Sequence, residues 1–157
     1  MRTLTWFIAF ITVLFPLLAF SQGAAPTVEI LSKDDARELF STTKEQWLAR
    51  VQSTVAAGMA RPMGDPETVF GMVVNTPEGD LLMVMPSYGK NEQKPDFIQV
   101  SVGYRYPRAA LLTDSVLKEA IQAAKVQMEP EYDVIGNFER IRGGLSVFFI
   151  IAEKQPK

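Results

Sequence analysis

The 157-residue sequence contains neither cysteine nor histidine. The first absence excludes disulfides, thiolate nucleophiles, thiolate-held zinc or iron–sulfur sites and a lipidated bacterial N-terminus. The second removes the imidazole base, the histidine-ligated metal and any Ser-His-Asp triad. A basic excess is also missing, with 16 Lys+Arg against 18 Asp+Glu. Nucleic-acid binding, which needs a clustered cationic surface, is therefore not expected. Carboxylates, lysine, tyrosine and hydroxyls remain for chemistry, and no cofactor or metal site is expected from them.

One long apolar run is present, and it lies at the start. Met1 and Arg2 give a positive end, Leu4 to Phe20 carries no charge, and Ala19-Phe20-Ser21 places small residues where a signal peptidase requires them. The sequence predicts a cleaved signal peptide over 1–21, a spacer over 22–31 and a single α+β domain over 32–157. An uncleaved anchor is the alternative, weakened by Pro16 and by a run shorter than the ~20 residues that span a bilayer. Taking 21 from 157 residues and Arg2 from the charge count leaves 136 residues of net charge −3. The expected location is periplasmic or secreted, with no stable membrane span after cleavage.

Capping signals and periodicity organise the remainder. Ser32 opens a helix over about 33–40 and Thr43, with Gln46 three residues on, a second over about 44–57, or the two form one bent helix. Pro62, Gly64 and Pro66 mark 60–66 as a loop. Two apolar runs, 68–74 and 81–86, form a hairpin in which Asn75 faces Asp80 and Met72 faces Met83. Residues 97–106 alternate strictly, as a half-buried strand does. Thr113-Asp114-Ser115 begins a helix that Pro130 ends, and 132–141 with 145–153 make a closing hairpin around Arg142-Gly143. The expected fold is an antiparallel-rich five-stranded sheet packed with helices, in the order α(α)-β-β-β-α-β-β. That coarse order resembles the architecture of type III secretion chaperones, although no motif carries the likeness.

The second face of this sheet holds the main candidate site. Val69, Val73, Leu82, Val84, Ile135, Phe148 and Ile150 fall on it, beside Gly71, where a sheet covered on one side only should be polar. The patch predicts a protein interface or self-association, unless the N-terminal helices cover it or the register slips by one residue. Met72, Met83 and Met85 are expected together with Phe70 on the helix-facing side, where they fill core rather than bind Cu(I). Tyr104-Arg105-Tyr106-Pro107-Arg108 offers a weaker anion site at Arg105 and Arg108, with both tyrosines turned to the core.

Catalytic patterns are sparse. Ser-x-x-Lys occurs at Ser41–Lys44, Ser87–Lys90 and Ser115–Lys118, without the accompanying motifs of penicillin-binding enzymes. Glu129, Glu131, Asp133 and Glu139 could supply a carboxylate pair. The sequence thus points to an exported, non-catalytic binding or accessory protein acting through protein–protein contacts. The alternatives are a small hydrolase using carboxylates or a Ser-Lys pair, and a carrier of an apolar ligand.

Overall fold

A computed structural model of the chain describes residues 31–65, 70–76 and 80–155. The expected leader and residues 22–30 of the spacer lie outside the described residues.

Helix α1 (Lys33–Phe40) and helix α2 (Lys44–Ala56) are separate, because each has its own reciprocal cap. The Asp35 amide donates to Ser32 Oγ and the Ser32 amide to Asp35 Oδ2; Gln46 and Thr43 repeat the exchange. Gly58, at φ +72°, turns the chain after α2, a conformation that L side chains rarely adopt.

Strands β1 (Ala60–Gly64), β2 (Phe70–Asn75), β3 (Leu81–Ser87) and β4 (Phe97–Arg105) follow. After them come the four-residue helix α3 (Arg108–Leu111), helix α4 (Asp114–Met128), and strands β5 (Tyr132–Ile141) and β6 (Gly144–Glu153). The six strands form one antiparallel sheet in the order β1-β2-β3-β4-β6-β5. The α+β class is as expected; the number of strands is not. Residues 60–64, expected as loop, are the sixth strand. Pro62 cannot donate to a ladder, which an edge position tolerates, and β1 is an edge.

The buried apolar side chains of the helices meet one side of the sheet. Ala36, Leu39, Phe40, Trp47, Val51, Leu117, Ile121 and Met128 join Met72, Val74, Leu82, Val84, Val100, Val147, Phe149 and Ile151 in one core cluster. Trp47 is fixed there by its indole N–H, which donates to the Phe70 carbonyl at 2.7 Å. Phe40 stacks on Tyr132 at 5.3 Å between ring centroids. Helix α4 lies so close to β5 that a methyl at Gly136 would approach Ile121 Cγ2 to 2.8 Å. The closing hairpin has the expected register, with Val134 opposite Ile151, Gly136 opposite Phe149 and Phe138 opposite Val147.

The first hairpin differs from expectation by one residue. Asn75 pairs with Leu81, Val74 with Leu82 and Met72 with Val84. The cause is the turn closure: the Thr76 amide donates to the Asp80 carbonyl at 2.9 Å, and the Asp80 amide donates to Thr76 Oγ1 at 3.1 Å. Thr76 therefore faces Asp80, and every β3 side chain changes sides relative to the expectation.

Candidate functional site

The sheet's second side carries no packed helix among the described residues. Its rows follow from the pairing. One row runs Asn137–Phe148–Ser101–Met83–Val73–Arg61 across all six strands. A second runs Ile135–Ile150–Gln99–Met85, then Gly71 and Met63. A third runs Glu139–Ser146–Gly103–Leu81–Asn75. The middle strands contribute only apolar or uncharged side chains, whereas charge is confined to the margins: Arg61 on β1, Asp133 and Glu139 on β5, and Arg105 at the end of β4. None of Arg61, Arg105 and Glu139 has an ion pair among the described residues; Asp133 is 3.8 Å from Lys154.

Of the expected patch, Val73, Phe148 and Ile150 lie on this side half-buried, and Ile135 is 65% exposed. Leu82 and Val84 do not: they are 3% and 2% exposed and belong to the helix-covered core. Val69 lies outside the described residues. The same one-residue shift brings Leu81, Met83 and Met85 into the patch, with Phe97 and Met63 at its margin. The expected methionine cluster is split accordingly, since Met72 is buried against the helices while Met83 and Met85 are on the opposite side. Sequence reasoning missed these residues; the pairing of Thr76 with Asp80 was the available signal, as both side chains favour turn closure.

The two arginines expected to be free differ. Arg108 Nη1 is 2.6 Å from Asp80 Oδ2, the Asp80 side chain being almost fully buried, and its guanidinium lies over the Tyr104 ring at 5.7 Å. Burial pushes the Tyr104 phenol up to about 12, helped by Asp80 and opposed by Arg108. Arg108 is thus a structural cation that neutralises a buried carboxylate, while Arg105 is exposed. Tyr106 is 57% exposed rather than core-facing, because β4 ends at Arg105 and the chain turns. A single exposed arginine is no longer a paired anion grip.

Several of the remaining polar candidates are engaged structurally. Ser115 Oγ donates to Glu119 Oε1, and Thr113 rather than Ser115 caps α4. Ser41 Oγ donates to the Arg37 carbonyl, and Lys44 pairs with Glu92 at 2.9 Å. Glu131 is bound by Arg37, whose two hydrogen bonds hold the carboxyl below its ordinary range. Among the described residues, no group of three or more acidic side chains could hold a metal ion.

No family model, curated protein or solved structure matches this chain.

Proposed function

We propose that the protein is an exported binding protein that acts through protein–protein contacts on the helix-free side of its sheet. One observation carries the reading: Val73, Leu81, Met83 and Met85 adjoin one another on β2 and β3, Phe148 and Ile150 do so on β6, only the uncharged Gln99, Ser101 and Gly103 of β4 lie between the two groups, and the nearest charges stand at the sheet margins. An antiparallel sheet with one solvated face alternates apolar and polar side chains. Strands β2, β3 and β6 do not alternate, and an uncharged, largely apolar surface of this kind marks contact sites. The N-terminal leader pattern supports export, and no helix among the described residues is long and apolar enough to cross a membrane.

The test is Phe148→Glu. Binding through this side predicts that the variant loses a protein that accompanies the wild type through purification, or loses a second copy, while keeping its far-ultraviolet circular dichroism. Limited peroxide oxidation gives the counter-outcome. A wild-type chain that travels alone, with Met83 and Met85 oxidising as slowly as the core residue Met72, would overturn the reading.

A further inference from the structure

Resting on that reading, we propose that the occupant of the helix-free side is a second copy of this chain, packed sheet to sheet about a twofold axis parallel to the strands. The result is a four-layer helix–sheet–sheet–helix dimer.

The strand order is what makes the surface self-complementary. The centre of β1-β2-β3-β4-β6-β5 lies between β3 and β4. A twofold axis along the strands there sets β3 of one copy over β4 of the other, β2 over β6 and β1 over β5. Met83 then meets Ser101 and Leu81 meets Gly103, so large side chains face small ones across the central strands, while Ile150 lies over Gly71, beside which the Met85 side chain of the same copy is packed. Met85 faces Gln99 and Val73 faces Phe148. At the margin Met63, 39% exposed, meets Ile135. The twist of aligned sheets, roughly 30°, displaces the outer strands by about one row and leaves the central pairs in place.

Charge selects this axis over the alternative. It brings Arg61, on the β1 margin, over β5 of the second copy within about one row of Asn137, on the strand that carries Asp133 and Glu139. An axis perpendicular to the strands would place β5 over β5, with Asp133 and Glu139 of both copies in one acidic strip. The extent is sufficient as well. Five strand spacings of ~4.8 Å and the ~20 Å from Phe97 to Gly103 outline a patch of about 500 Å² per copy, or roughly 1,000 Å² together. That reaches the size at which specific interfaces begin.

Light scattering after size exclusion, over a concentration series of the purified protein, tests the proposal. The expected mass is twice that of the single chain. Met83→Glu, which buries an unpartnered carboxylate in both copies, should weaken the dimer on the order of 100-fold, whereas Lys118→Glu on the exposed side of α4 should leave it intact. Circular dichroism melting confirms that each variant is folded. Because the sequence has no cysteine, single-cysteine variants report geometry: Ser101→Cys should be joined by a short bismaleimide, and Ile135→Cys should not. A dimer that survives Met83→Glu overturns the face-to-face arrangement in favour of pairing along β5, and one that is joined through Ile135→Cys overturns the axis parallel to the strands, since only the perpendicular axis or β5 edge pairing brings β5 to β5. A single-chain mass at every concentration overturns self-pairing. If Met83 and Met85 then oxidise faster than Met72, the wider reading of a contact surface stands; if not, it falls too.

Discussion

Substituting Gly136 with alanine tests how α4 is seated on the sheet. A methyl group there would lie 2.8 Å from Ile121 Cγ2, 2.8 Å from Phe149 Cε1 and 3.0 Å from Phe149 Cδ1. Carbon atoms rest at about 3.5–4.0 Å, so the new group is too close by roughly 0.5 Å or more on two sides at once. Neither neighbour has free space to move into, since Phe149 is 2% and Ile121 8% exposed. The helix must lift or the ring must tilt, and overpacking of this kind costs about 1–3 kcal/mol. Loss of chain entropy in the unfolded state returns about 0.4–1 kcal/mol, leaving a net destabilisation centred on about 1.3 kcal/mol. Gly103→Ala is the matched control. Its nearest contacts would be Leu81 Cβ at 3.6 Å and the Leu81 carbonyl at 3.9 Å, ordinary packing distances. The entropic gain then stands alone, and the protomer should become more stable by about 0.4–1 kcal/mol. Urea unfolding followed by circular dichroism reads both signs as midpoint shifts at constant slope, at concentrations too low for self-association to contribute. A Gly136→Ala protein as stable as wild type would refute the close seating of α4 on β5.

Trp47→Phe removes the donor to the Phe70 carbonyl beneath α2 and should cost about 1–3 kcal/mol in the same urea assay. Arg108→Ala leaves the buried Asp80 carboxylate without its guanidinium partner; because Arg108 is itself partly exposed, the loss should be about 1–3 kcal/mol, between the values for surface and buried pairs. Tyr104, pushed up to about 12 from 10.0, keeps its proton in the folded protein at pH values where the unfolded chain has released it. Its contribution is therefore complete below pH 10 and is lost as pH rises towards 12, amounting to about 2–3 kcal/mol. Urea midpoints between pH 9 and 12 should fall less steeply in Tyr104→Phe than in wild type; an unchanged slope would remove Tyr104 from the explanation.

Most of the fold was legible because its local signals agree with its packing. Ser32 and Thr43 cap their helices through the side chains that the spacing indicated, and the alternation of 97–105 places Ile98, Val100, Val102 and Tyr104 in the core. Arg142-Gly143 fixed the last hairpin, because a two-residue turn with Gly143 at φ +94° leaves a single register. Strand β1 was hidden by its own composition. Pro62 and Gly64 are turn residues in isolation, and only pairing with β2 makes Ala60–Gly64 extended. Helix α3 is four residues long, too short for periodicity to show. What holds it is tertiary: Arg140, on β5, donates to the Leu112 carbonyl at 2.8 Å just beyond the helix and pairs with Asp114.

The first hairpin shows which part of a site survives an error of register. Moving β3 by one residue exchanged Leu82 and Val84 for Leu81, Met83 and Met85, yet the second side of the sheet remained apolar. The reason is that β3 is apolar at five successive positions, Leu81 to Met85, and Val73 and Val74 of β2 are apolar on opposite sides. A strand with one wet face cannot be shifted without exposing its apolar set and burying its polar one; a strand apolar on both faces can. The residues on the candidate surface were therefore not fixed by the pattern, whereas the apolar character of that side was. Strand β6 has the same character independently, with Phe148 and Ile150 on one side and Val147, Phe149 and Ile151 on the other. Strand β5, the neighbour at the margin, mixes Ile135 and Ile141 with Asp133, Asn137 and Glu139 on that side, so the proposed cover seats on the central strands and meets a charged margin at β5. A second sheet of the same width meets that boundary condition.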